Sequence, residues 1–407
     1  MLNNSKVLLS PAFGLPITAI VSKQEVKEDK IELVNEDSED ESQSAYPKYS
    51  LCSLLYIYGL FLMVSFILSV GFYQLISTDL HGSGASLRNI PAVDNTFVAF
   101  GTTSEPAELL KVLFAAQIWR NLGVRSIVAL IGEPELYQEG PNKMLVNVLR
   151  QMEAELVYVE NANVHEDNMA KLMPFYVTAT NVSQDLYEDT VIILANTDYI
   201  PLDLASHLPQ TEKAIEVKIY DAKCCDVLNL GDLQLHKYSM NTVAMTLKRW
   251  QEVFALDRQM SVDAIENQIT QNFGDFIVLG AQSQAFYAKE LAFAVKFEQW
   301  KNKVKGASYL VDVLDHKNIH RLNSQAFNSH STSFLKTLPL SVYNDILIDD
   351  RLHDSDAWNV ARVFYRRFFT HEQYEYLLEV RERVISWQKD EQQRHWALWM
   401  NLYNPSI

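Results

Sequence analysis

Asn196-Thr197-Asp198, followed by two residues and then Pro201, is the place in this 407-residue chain where residue type and spacing first suggest chemistry. The three polar residues end the apolar run Val191 to Leu194, in which three of four residues are β-branched. Such a run suits a strand buried on both faces of a parallel sheet. Pro201, with a fixed φ and no N–H, stops any regular continuation. A polar, partly acidic tip at the carboxyl end of a buried strand is where open α/β sheets hold their ligands. Taken alone, the three residues are explained as simply by an Asx turn at a strand end.

The elements needed to position that tip can be read on either side of it. Thr96 to Phe100 predicts a first strand ending in a small polar loop, Gly101-Thr102-Thr103-Ser104. Glu105-Pro106 then opens a helix, with Pro at a position that suits the first turn. Ser126 to Ile131 and Leu156 to Val159 predict two more strands, Lys143 to Glu155 a second helix, and His165 to Tyr176 a third. With Thr190 to Ala195 as the fourth strand, the alternation predicts a mostly parallel sheet flanked by helices. Gly101 to Ser104 should then share an edge with Asn196 to Asp198 and line a nucleotide-sized cleft. A lone Gly101 is no Gly-x-Gly-x-x-Gly fingerprint, which disfavours a classical dinucleotide site. Further on, Ala214 to Tyr220, Tyr238 to Thr246 and Ser308 to Val313 read as strands, while Ser341 to Asp350 has no clear pattern. Helices are expected at Lys248 to Phe254, Asp263 to Phe273, Ala285 to Trp300, Ala357 to Phe369 and Glu372 to about Trp399. In the last, Tyr376, Leu377, Val380, Val384 and Trp387 form a stripe expected to face the core.

Apolar residues make up 48% of the chain, enough for a substantial core, and the formal charge is −16, from 35 Lys plus Arg against 51 Asp plus Glu. No basic track is present, so nucleic acid is excluded as an expected partner. Of three cysteines, Cys52 lies in an apolar segment and Cys224 and Cys225 are adjacent; they could form a strained vicinal bridge, pair between chains or stay free. Residues 1–50, with acids at Glu36, Asp37, Glu39, Asp40 and Glu41, are expected to be a disordered acidic tail. Residues 51–77 lack charge and are long enough to span a bilayer as an uncleaved signal-anchor. Residues 78–95 read as a stem, and 96–407 as the globular domain. Lys48 and Arg88 flank the span and give no charge bias for its orientation. Asn181-Val182-Ser183 is a glycosylation sequon and is compatible with a luminal domain.

A single N-terminal span, a stem, a βαβαβα half and a short acid motif after strand four together resemble a type II membrane glycosyltransferase with a GT-A-like fold. From about Thr96 to Lys389 the chain is similar to a little-characterised set of metazoan glycosyltransferase-like proteins. These carry Asp-x-Asp followed by two residues and Pro, matched here by Asn196-Thr197-Asp198-Tyr199-Ile200-Pro201. They also carry a paired-Cys region before a strand–helix unit like Tyr238 to Trp250. The resemblance implies a nucleotide sugar as donor, a glycan or protein hydroxyl as acceptor, and Mn²⁺ or Mg²⁺ bridging the diphosphate. Oxygen ligands suit such a hard cation, which would neutralise charge on the leaving group. Asp198 and Asn196 would then be ligands, with an amide at Asn196 where an acid is expected. His353, in Asp350-Arg351-Leu352-His353, matches a distal histidine ligand; the alternative is a solvated loop histidine. The chain departs from the pattern at Lys289-Glu290, where an acid–amide pair is expected, and at Arg321-Leu322-Asn323-Ser324, where an Arg-x-Asp-Arg-like run is expected. His316 and His320 are spaced i, i+4 without the acid of a zinc-protease helix. By residue type alone Asp275, Asp345, Asp349 and Asp350 are equivalent as catalytic bases.

The resemblance implies a Golgi or endoplasmic-reticulum protein with a luminal catalytic domain. Asn196, Lys289 and Ser324 favour a second reading, a catalytically inactive GT-A-like domain that binds carbohydrate or protein. A membrane scaffold facing the cytosol is the third reading.

Overall fold

The computed structural model describes residues 95–160, 163–222, 227–230, 233–277 and 288–403, all within the unit Val70–Ile407. The acidic tail, the 51–77 span, the stem to residue 94, Cys224, Cys225 and the first three residues of the helix expected from Ala285 lie outside the described residues. Among the described residues, no helix is long and apolar enough to cross a membrane.

A seven-stranded sheet forms the frame. Its strands are β1 (Thr96–Thr103), β2 (Arg125–Ile131), β3 (Glu155–Val159), β4 (Val191–Ala195), β6 (Val217–Ile219), β9 (Thr242–Thr246) and β10 (Val311–Val313). The spatial order is β3-β2-β1-β4-β9-β6-β10. Strands β1 to β4 run parallel, β10 runs parallel to β6, and β9 is antiparallel to both β4 and β6. The chain winds outward from β1 through β2 to β3, then returns to place β4 on the other side of β1. That reversal opens a crevice beyond the carboxyl ends of β1 and β4.

Alternation along the strands explains the layers. Val98 and Phe100 of β1, with Ile193 and Ala195 of β4, enter one core. Phe97 and Ala99, with Ile192 and Leu194, enter the other. Helices α1 (Pro106–Asn121) and α2 (Gly140–Gln151), with two C-terminal helices, α8 (Ser355–Phe368) and α9 (His371–Tyr403), cover the first face. The second is covered by α3 (Glu166–Tyr176), α4 (Leu247–Phe254), α5 (Val262–Ile277) and α6 (Ala288–Lys303). Helix α1 is buried on nearly every side, because the sheet lies on one flank and α8 on the other. Phe114 meets the rings of Trp358 and Tyr365 there, at 5.7 and 4.7 Å between centroids.

Several sequence expectations shift. Gly101 to Thr103 is not a loop: β1 continues through Thr103, held by its ladder to Ile131. The second helix begins at Gly140 and ends at Gln151, before Glu155, which belongs to β3. The strand expected from Tyr238 begins only at Thr242, where pairing with Ala195 starts. Tyr376 is 43% exposed rather than core, its hydroxyl donating to Gln151 Oε1.

β7 (Val227–Leu230) and β8 (Leu233–His236) form a separate antiparallel pair, and a three-stranded sheet has the order β11-β12-β5, from β5 (Tyr199–Pro201), β11 (Arg321–Asn323) and β12 (Asp345–Leu347). Strand β12 comes from the stretch whose sequence showed no clear pattern. It runs antiparallel to β5 and pairs Leu347 with Tyr199, and the Ile348 N–H donates to the Asp198 carbonyl at 2.8 Å. Asp198 and Asp350, far apart in sequence, are therefore brought to the same end of this small sheet.

A buried polar network ties the small sheet to the edge of the large one. Arg321 donates to Asp345 at 2.6 and 3.2 Å and to Asp221 at 2.8 Å. The Tyr220 hydroxyl donates to Asp345 at 2.7 Å, and His207 Nδ1 meets the Thr242 hydroxyl at 2.7 Å. Burial drives the His207 pKa down to about 3, so the ring is neutral at physiological pH. A desolvated ion pair of this kind adds little net stability, but its directional bonds hold β11 and β12 in one place.

Candidate ligand-binding cleft at the carboxyl edge of the sheet

Beyond the carboxyl ends of β1 and β4 lies a cleft of ≈ 420 Å³, within the size range of small-molecule sites. Gly101, Thr102 and Thr103 from β1 and Ala195, Asn196 and Thr197 from β4 line it, with Lys289 from α6. Glu105 and Glu108 from the start of α1, and Asp167 and Lys171 from α3, complete the wall. The mixture suits an anionic ligand rich in hydroxyls: ammonium groups for phosphate, carboxylates and threonines for sugar or ribose.

Gly101 has a steric role. A Cβ there would lie 2.0 Å from the carbonyl oxygen of Ala170, so only glycine lets α3 approach β1 this closely. Close approach also carries Asp167 and Lys171, one helical turn apart, to the cleft. The Thr102 hydroxyl donates to the Thr103 carbonyl, and the Thr103 hydroxyl accepts from the Glu105 N–H at 3.4 Å. Ser104 is not among the lining residues; its carbonyl accepts from the Asn142 amide at 2.7 Å, anchoring α2.

Lys289 reaches the cleft from α6. Its Nζ donates to Asn196 Oδ1 at 3.0 Å and lies 3.5 Å from the Ala195 carbonyl oxygen. Burial draws the ammonium down to about 8, while Glu290 and Asp198 act in the opposite direction. Sequence reasoning marked Lys289 only as a departure from an expected acid; its position near the start of α6, opposite the end of β4, is a tertiary fact. Glu105, Glu108, Asp167 and Lys171 were missed as site residues. The only sequence signal was the place of Glu105, Glu108 and Asp167 at the starts of helices that follow, or pack on, β1.

Asp198 does not line the cleft. Its Oδ1 is buried and has no hydrogen-bond partner. Burial pushes its pKa up to about 6, the Asp350 carboxylate adds to the rise, and Lys289 and Arg321 oppose it. Asp350 accepts from the Thr197 hydroxyl at 2.7 Å and stands 3.8 Å from the Lys111 ammonium. Asp349 is held below the ordinary carboxylate range by hydrogen bonds from Arg351. Asp345 belongs to the buried network, and nothing is described of the Asp275 side chain. His353 is exposed, and among the described residues the structure gives it no contact with Asp198 or Asn196. Asn181 is exposed, but its sequon partner Ser183 is buried, with its hydroxyl donating to the Thr180 carbonyl.

The oxygen set is a poor match to a divalent cation bridging a ligand in the cleft. The Asn196 oxygen already accepts from an ammonium, and the free oxygen of Asp198 is sealed from solvent. Among the described residues, no group of three or more His, Cys, Asp or Glu side chains is placed to hold a metal ion.

No protein-family model matches the chain, and no curated protein matches it. Among solved structures, the glycosyltransferase GlyE of Streptococcus pneumoniae TIGR4 is similar at 11% identity and a TM-score of 0.33. The match covers 72% of this chain and 63% of that protein, less than two thirds of its length. The galactosyltransferase LgtC, in complex with donor and acceptor sugar analogs, is similar at 10% identity, covering 69% of this chain and 99% of that one, with a TM-score of 0.34. An active-site mutant of LgtC is similar at 9% identity, over 66% and 94%, with a TM-score of 0.33.

Proposed function

We propose that this chain is a GT-A-like glycosyltransferase that binds a nucleotide sugar in the β1–β4 cleft and passes the sugar to a hydroxyl of a glycan or protein. The observation that carries this reading is the Lys289 ammonium, fixed by Asn196 and the Ala195 carbonyl at the switch point of a mostly parallel sheet. Transfer breaks the bond between the anomeric carbon and the diphosphate oxygen, and charge collects on the departing diphosphate. A preorganised cation at that spot lowers the barrier because it needs no reorganisation as the charge develops. In this reading Lys289 supplies the charge that the sequence resemblance assigns to Mn²⁺ or Mg²⁺. Glu105, Glu108 and Asp167 would accept hydrogen bonds from ribose or sugar hydroxyls.

The test is calorimetric titration of UDP and GDP, paired with release of nucleoside diphosphate from a panel of nucleotide sugars. Binding with turnover supports the enzyme. Binding without turnover supports the second reading, an inactive GT-A-like carbohydrate- or protein-binding module, which the amide at Asn196 and the sealed Oδ1 of Asp198 favour. No binding of either nucleotide, and no turnover, contradicts the enzyme and leaves the binding module. With residues 51–77 as a signal-anchor, the domain would be a type II membrane glycoprotein lying in the Golgi or endoplasmic-reticulum lumen.

A further inference from the structure

Away from the cleft, a groove of ≈ 220 Å³ runs between α7 (Thr332–Thr337) and α8, lined by Thr332, Lys336, Arg362, Val363, Arg366 and Arg367. Four of its six lining residues are cations and none is an acid, on a chain whose formal charge is −16. The pattern comes from helical spacing. Thr332 and Lys336 are one turn apart on α7, and Arg362 and Arg366 one turn apart on α8, so each helix offers its pair on one side.

Two of the cations are held in place. Arg367 donates to the Leu338 carbonyl at 2.7 Å, and the Arg366 guanidinium lies 4.8 Å from the centre of the Tyr374 ring. Among the described residues, none of the four has a carboxylate within ion-pair distance. Arg366 and Arg367 stand in the last turn of α8, where cations complement the helix dipole. That accounts for neither Arg362, a turn earlier, nor Lys336 on another helix. Guanidinium groups, an ammonium and a hydroxyl lining one groove without a carboxylate among them are the chemistry that recognises an oxyanion. The groove is smaller than sites for whole nucleotide-sized ligands.

We propose that this groove binds a phosphate or sulfate monoester through Arg362, Arg366 and Lys336, independently of the β1–β4 cleft. The probe is inorganic phosphate, titrated at constant ionic strength against detergent-solubilised full-length protein while thermal unfolding is followed. A hexose phosphate and a hexose sulfate form parallel arms. Phosphate should raise the unfolding temperature saturably. The double variant Arg362→Gln/Arg366→Gln should bind about tenfold or more weakly, in the wild-type and in the Lys289→Gln background alike. Stronger binding of one ester identifies the group carried by the natural ligand. A response no larger than that to chloride overturns the proposal. So does a response that survives in the double variant and disappears in Lys289→Gln, because the anion would then sit in the cleft.

Discussion

Lys289 and Asp198 give the site a distinctive titration. In the free protein the carboxyl group loses its proton near 6 and the ammonium near 8. Deprotonating either makes the neighbourhood of the cleft more negative. Diphosphate affinity should therefore fall in two steps as pH rises, around 6 and around 8, and Lys289→Gln should abolish only the upper step. Calorimetric titration of UDP between pH 5 and pH 9 checks both. Asp198 also makes a prediction about stability. Its folded pKa lies above the usual carboxylate value, so the native state holds a proton over a range in which the unfolded chain has lost it. Stability thus falls as pH rises from about 4 to about 6, and the cost is fully present at neutral pH. Asp198→Asn should raise stability by on the order of 1–3 kcal/mol at pH 7.5 and have little effect at pH 4. Denaturant unfolding at the two values tests the sign. Residue type alone named Asp198 and Asn196. It could not show that one oxygen of Asp198 is sealed and that Asn196 is engaged by a lysine 93 positions away in sequence, because burial and pairing are properties of the fold.

The strand ends decide which residues meet. The apolar runs of β1 to β4 were readable because parallel strands covered on both faces become nearly continuous Val, Ile and Leu. Their carboxyl tips followed, and so did the edge shared by Gly101, Thr102, Thr103 and Asn196. The small sheet was not readable: β5, β11 and β12 are three residues each, too short for a period, and they exist through pairing across long sequence separations. The role of Gly101 was hidden for the same reason, since the constraint comes from Ala170 on another element. Gly101→Ala should force β1 and α3 apart and destabilise the fold by about 3 kcal/mol, seen as a lower denaturation midpoint. Ser104→Ala keeps its backbone carbonyl and should be nearly neutral.

At the scale of the molecule, the three-layer domain leaves one cleft at the carboxyl edge of its large sheet, where the proposed donor would bind. Topology is a separate question. If residues 51–77 anchor a luminal domain, Asn181 can meet the glycosylation machinery before Ser183 is buried by folding. An endoglycosidase-sensitive mass shift that Asn181→Gln abolishes is the expected result; its absence leaves the cytosolic arrangement standing. The account's central claim is that a lysine, rather than a divalent metal, carries the positive charge for the diphosphate. Its most direct test is calorimetric titration of UDP and GDP into the full-length protein with excess EDTA. The account predicts that at least one nucleotide binds without metal, and that Lys289→Gln weakens it by about tenfold to a hundredfold. Binding only when Mn²⁺ or Mg²⁺ is restored, with Lys289→Gln unaffected, would contradict it.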